Sequence, residues 1–186
     1  SSGSTLSDQG THILNYGMSL NGDAPVESVF GTVSGPPALG HIQPDLQHTA
    51  GAIVFANGVR ALWVTGPTAP RCGEPSVPWQ HVRIAAYAAR GRVLWEEFGR
   101  WEVWGTGEVA GGDYGGMETW RHHNLLAQAA FHNAMFDWLE DASRVPGTAL
   151  KQSLHEWKAV LALHASALWR RPVQMEHFDP GTLPIP

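Results

Sequence analysis

A chain of 186 residues with 12 Lys plus Arg against 17 Asp plus Glu carries a formal charge of −5 and has the length of one ordinary domain. Its 43% hydrophobic and 16% charged residues can supply a packed core, which excludes a disordered chain; with no basic run longer than Arg170-Arg171, there is no electrostatic footprint for nucleic acid or an anionic membrane. One cysteine, Cys72, excludes an internal disulfide and a multi-cysteine metal site, and the lack of a secretory or membrane-spanning apolar run points to the cytoplasm.

From Thr5 the apolar residues Leu6, Ile13, Leu14, Met18 and Leu20 recur at helical spacing, and Gly22 supplies a stop. Pro25 punctuates, and Val26 to Val33 alternates as a half-buried strand does, ending at Gly35-Pro36-Pro37. His48 to Phe55 and Val59 to Thr65 flank Asn57-Gly58, the dipeptide suited to a type I′ hairpin turn. Four prolines between Gly66 and Trp79 predict an irregular loop. Three more strands follow, His81 to Ala88, Arg92 to Glu97 and Arg100 to Trp104, which brings the count to six. The glycine-rich stretch Gly105 to Gly116 reads as a loop. Asn124 is then the candidate cap of a helix reaching about Asp141, and Val145-Pro146-Gly147 breaks it. Thr148 is the candidate cap of a final helix whose stripe is Leu150, Leu154, Trp157, Leu161 and Leu168, with His164 in the same register. The proline-containing tail, residues 179–186, is expected to be extended. This order predicts an α+β domain with a largely antiparallel open β-sheet and helices on one face; the other face is left for water or a partner.

Several candidates for chemistry dissolve on context. Gly105-Thr106-Gly107-Glu108-Val109-Ala110 fits a dinucleotide fingerprint in letters, but the glycines that follow give no helix to receive a pyrophosphate. His122-His123 is the densest histidine pair, yet side chains of adjacent residues diverge, and no H-E-x-x-H spacing is present, so no metal is assigned. The nine tryptophans supply core or interface area more readily than sugar-stacking platforms. The informative spacing is Asp8, His12 and Asn15: on a helix, residues four apart share a face, so Asp8 and His12 can touch, with Asn15 a further turn along. A carboxylate that orients an imidazole is what a histidine acid/base needs near neutral pH, although surface pairing at a helix start uses the same residues.

The run Asp8-x-Gly10-x-His12-x-x-Asn15, followed by Gly22-Asp23-Ala24-Pro25-Val26-Glu27-Ser28-Val29, resembles the D-x-G-x-H-x-x-D segment of the Gfo/Idh/MocA oxidoreductases. Phe55-Ala56-Asn57-Gly58-Val59-Arg60 is similar to that family's f-x-N-G-x hairpin, and Tyr87-Ala88-Ala89-Arg90-Gly91-Arg92-Val93 to its y-G-t-x-G-x-v strands. The closing segments Ala134-Met135-Phe136-Asp137-Trp138-Leu139 and Ala162 to Val173 resemble its ending, so the similarity runs through nearly the whole chain.

The resemblance implies a substrate-binding and oligomerisation domain over residues 1–178, without the family's first strand, from an enzyme whose Rossmann domain, not present in this chain, binds NAD or NADP. It implies His12 as the base that takes a hydroxyl proton as hydride leaves, Asp8 as its orienting partner, and Asn15 as a substrate-binding residue where the family often has Asp. An amide binds a hydroxyl but neither accepts a proton nor carries charge. The implied substrate is a sugar, polyol or related hydroxy compound, and the implied partner a second copy against the open sheet face. Glu-Lys-Pro, the family motif of the Rossmann half, does not occur, and the first residues Ser-Ser-Gly-Ser lack a Met, so the chain is expected to be the downstream portion of a two-domain enzyme and inactive alone. The alternatives are a non-catalytic oligomerisation module and a carbohydrate-binding module that stacks sugars on Trp.

Overall fold

The computed structural model describes residues 5–33, 48–65, 82–96, 99–113, 117–146 and 149–183. Among them the elements are α1 (Thr5–Leu20), β1 (Val26–Val33), β2 (Thr49–Phe55), β3 (Arg60–Thr65), β4 (Arg83–Ala88) and β5 (Gly91–Glu96). They continue with β6 (Arg100–Trp104), β7 (Val109–Asp113), α2 (Met117–Glu140), α3 (Leu150–Trp169) and β8 (Val173–Gln174). The class is α+β, with antiparallel open sheets and helices packed against a sheet. The strands divide into two four-stranded sheets, β3-β2-β1-β8 and β4-β5-β6-β7. They belong to two compact units, Ser1–Ala69 with Gly147–Pro186, and Pro70–Pro146.

In the first unit, α1 buries Gly10, Leu14 and Met18, a one-turn repeat that puts a single stripe against the core. Its end follows from Gly22: Asp23 N–H donates to Met18 O (2.8 Å) and Gly22 N–H to Ser19 O (3.4 Å), a Schellman pair that needs the left-handed Gly22 (φ 78°). β1 alternates as expected and sends Val26 and Val29 into the core beside Ile53, Phe55 and Trp63. The centre of this core is a close approach. Gly31 and Gly51 face each other across the β1–β2 ladder, and a Cβ at either would lie 2.9 Å from Leu163 Cδ2. Two absent side chains therefore let α3 settle onto the sheet. Ser166 Oγ accepts from Gly31 N–H (3.0 Å), a donor lying past the end of the two-residue β8, and donates to Arg171 O (2.7 Å). The opposite face of this sheet is open: Phe30, Leu62 and Val64 are exposed, Leu62 by 88%.

The hairpin forms where the sequence places it, with a different turn. Gly58 N–H donates to Phe55 O (2.8 Å), Phe55 N–H donates to Val59 O (2.9 Å), and Gly58 alone in the loop has positive φ (84°). This is a three-residue loop rather than a type I′ turn. Asn57 stays out of the left-handed region because its amide has other work: it donates to Asn21 O (3.0 Å) and accepts from Val59 N–H (3.1 Å), tying the hairpin to the end of α1.

Five further expectations are corrected. Within 105–116 only the start is a turn; Val109–Asp113 is strand β7, paired with β6, because Gly111 and Gly112 leave room for Trp101, whose Nε1 lies 3.0 Å from where a Gly112 Cβ would stand. Helix α2 starts at Met117 and carries Asn124 in its interior, so Asn124 is not its cap. In α3 most of the expected stripe faces outward: Leu150, Leu154, Trp157 and Leu168 are exposed, Leu161 packs against the core and His164 is buried, while the core face is Glu156, Ala159, Val160, Leu163 and Ser166. Its N-cap position is Ala149, with no side-chain cap; Thr148 and the loop expected at 66–79 lie outside the described residues. Asp179 to Leu183 of the expected extended tail are folded, because Asp179 accepts from Gly181 N–H (2.9 Å) and starts a 3-10 turn, Pro180–Thr182, that buries Leu183; residues 184–186 lie outside the described residues.

The second unit carries a polar sheet face. Cross-strand pairs place Arg83 opposite Glu96, Tyr87 opposite Arg92, and Arg92 opposite Trp104. Glu96, 7% exposed, lies 3.6 Å from Arg83 and 3.7 Å from Arg100, and the Arg92 guanidinium sits 4.0 Å over the Trp104 ring.

Candidate active site

The three residues singled out by spacing all lie on α1. Asp8 falls one helical turn before His12, and its side chain lies outside the described residues. His12 is on the exposed side of the helix, open to a ligand or a covering element. Asn15 is half-buried and occupied: its side-chain NH2 donates to Glu156 Oε1 at 2.8 Å. The structure thus joins Asn15 to a carboxylate from α3, 141 residues away in sequence.

That carboxylate was not legible in the sequence. Glu156 is 4% exposed and forms no salt bridge among the described residues. A buried carboxylate needs donors, and the Asn15 amide is the one that α1 presents to it. Asp at position 15 would instead bring two carboxylates together in a partly buried site, an arrangement that raises one pKa sharply or separates the groups.

Two histidines of α3, one half-buried and one buried, lie in the same unit. His155 Nε2 accepts from Val26 N–H (2.9 Å), and burial, then Lys158, holds its pKa below the ordinary value. His164, 4% exposed with neither ring nitrogen partnered, is pushed down to about 4 by burial. Both are therefore neutral imidazoles at pH 7. Neither lies on α1, and the sequence singled out only His164, for its helical register.

No group of three His, Cys, Asp or Glu that could hold a metal occurs among the described residues. The His122 and His123 rings stand 6.1 Å apart and tilted by 51°. The glycine-rich run that imitates a dinucleotide fingerprint opens no helix: Gly105 N–H donates to Glu108 O (2.9 Å), Gly107 has φ 92°, and the chain turns straight into β7. Residues 105–110 therefore form no cradle for a pyrophosphate. No helix of the described residues is long and apolar enough to cross a membrane.

No protein-family model matches the sequence, and no curated protein matches it. Solved structures do. An oxidoreductase from Agrobacterium radiobacter in complex with NAD+, L-tartaric acid and magnesium superimposes with a TM-score of 0.69 at 16% identity, over 91% of this chain and 48% of its own. A levoglucosan dehydrogenase in complex with NADH and levoglucosan gives 0.62 at 15% identity, over 95% of this chain and 51% of its own. The aldose-aldose oxidoreductase from Caulobacter crescentus, complexed with glycerol, gives 0.58 at 16%, over 92% and 48%.

This chain has the fold of one half of a Gfo/Idh/MocA-type oxidoreductase. It spans about half the length of the structures it matches, consistent with the C-terminal half of that architecture. Within the Gfo/Idh/MocA-like fold, α1 is the helix that carries the D-x-G-x-H run, and Asn15 meets α3 through Glu156.

Proposed function

We propose that this chain is the substrate-binding and catalytic half of an NAD(P)-dependent oxidoreductase acting on a sugar, polyol or related hydroxy compound. The observation that carries the reading is the coincidence of two independent features: the two-domain oxidoreductase fold match, and the Asp8, His12 and Asn15 spacing on one helix of that fold. NAD or NADP, held by a nucleotide-binding domain, would supply the hydride acceptor. His12 takes the proton from the substrate hydroxyl, Asp8 orients the imidazole, and Asn15 hydrogen-bonds a neighbouring hydroxyl. The exposure of His12 suits a base that must reach a substrate between two domains. The lone Cys72 supports a cytoplasmic setting.

His12→Ala, made in the protein with its nucleotide-binding domain attached, is expected to lower turnover by about 10²–10⁴-fold with cofactor affinity unchanged. Unaltered turnover refutes the assignment.

A second copy of the chain is proposed as the cover for the open face of the first sheet, where Phe30, Leu62 and Val64 form an exposed apolar row. Leu62→Lys is expected to shift the sedimentation coefficient toward the monomer; an unchanged coefficient refutes this role.

A further inference from the structure

The Asn15–Glu156 pair fixes what this site can recognise. A carboxylate only accepts hydrogen bonds, so the amide facing it must present its NH2, and the Asn15 carbonyl Oδ1 is the end left over. No other bond to Oδ1 occurs among the described residues. Asn15 lies three residues after His12, so the two side chains share one side of α1, with Cβ atoms roughly 5–6 Å apart. Behind it stands Glu156, 4% exposed and paired with a neutral amide rather than a cation. The nearest cationic side chain in sequence on α3, Lys158, turns away to donate to Met175 O (3.0 Å). On the side of α1 that His12 and Asn15 share, the amide is therefore backed by a carboxylate with no cation paired to it among the described residues.

Resting on the substrate role proposed above, we infer that Glu156, acting through Asn15, makes this site select neutral polyhydroxy substrates over hydroxy acids. A hydroxyl donates to Oδ1 and gains from the carboxylate behind it. A substrate carboxylate offers no donor and meets a like charge. At about 8 Å, with the effective screening of partly buried sites, that repulsion amounts to roughly thirtyfold in affinity. Glu156 is a positioning and specificity-determining residue here; it touches Asn15 and not the reacting atoms.

L-threitol and L-tartrate test this, being a neutral and an acidic form of the same four-carbon skeleton. Each is titrated into the isotopically labelled 186-residue chain at one ionic strength, following the Asn15 side-chain amide and the His12 ring by NMR. Threitol is expected to shift both at concentrations at least about tenfold lower than tartrate. Glu156→Gln should bring the two within about threefold, and Glu156→Asp, which keeps the charge, should retain most of the gap. Equal binding of threitol and tartrate by the unaltered chain overturns the inference while leaving the functional reading in place, and this arm needs no variant to fold. A gap that persists in a folded Glu156→Gln chain also overturns it. Silence of both resonances toward both compounds overturns the inference and leaves the functional reading to the His12→Ala test, in which the nucleotide-binding domain is attached.

Discussion

The two sheets have the same strand number and the same antiparallel pairing, yet they bury very different amounts. In the first, Val29, Ile53, Phe55 and Trp63 are all buried beneath α3. In the second, the buried strand residue among those described is a glutamate, Glu96. Apolar content does not explain this, because β4 to β6 carry Ile84, Val93, Leu94, Trp95, Trp101 and Val103. The difference is close approach. Gly31 and Gly51 clear a seat for Leu163, so a helix can press on the first sheet, and dispersion contacts accumulate there. The second sheet is held by its ladder and by cross-strand pairs, Arg83–Glu96–Arg100 and Arg92 on Trp104, whose individual contributions are small.

The most direct way to break the comparison is at that seat. Leu163→Ala, at a fully buried position, is expected to destabilise the first unit by about 3–5 kcal/mol in chemical denaturation. Leu139→Ala on α2, where the side chain is 74% exposed, is expected to cost less than about 0.5 kcal/mol. Equal costs would mean that close approach is not what separates the two regions.

Acid should distinguish them next. The buried His164 has its pKa depressed to about 4 from 6.5, with neither ring nitrogen compensated. Between these values the unfolded chain binds a proton that the folded chain refuses, so stability falls as pH drops from about 6.5 to 4 and levels off below. The loss is about 3 kcal/mol from this residue, and His155, depressed for the same leading reason, adds to it in the same direction. His164→Leu is expected to flatten most of the slope in denaturation midpoints measured across that range. A slope unchanged by the substitution would assign the acid sensitivity elsewhere.

The sequence made local features legible and long-range ones not. β1, the β2–β3 hairpin and the end of α1 follow from alternation, a turn glycine and a C-terminal glycine, all signals within a few residues. Hydropathy misplaces the α3 stripe, because it favours Leu150, Leu154 and Trp157, whereas the seat on the sheet wants the small and polar Ala159, Ser166 and Glu156. Strand β7 was hidden by glycines that serve the Trp101 indole and not flexibility. At the candidate site, His12 and Asn15 were visible as spacing on one helix. Glu156 was not, since its meaning comes only from Asn15.

The smallest effect sharpens the account of the second sheet. Glu96 lies within 4 Å of two arginines that are each about half exposed, Arg83 (43%) and Arg100 (55%). Solvent screens such pairs, so the net gain is modest, but removing the glutamate leaves both guanidiniums facing one another on the same sheet face. Glu96→Gln keeps the shape and removes the charge. It is expected to lower the stability of the second unit by about 1 kcal/mol at low salt. The difference should shrink as sodium chloride rises toward 1 M, where the screening length falls to about 3 Å. Leu163→Ala, acting through packing, should show no such dependence. A Glu96→Gln cost that stays constant with salt would mean that Glu96 acts through its fit beside Gly99 and not through its charge, and the second sheet would then be closer in kind to the first than its surface suggests.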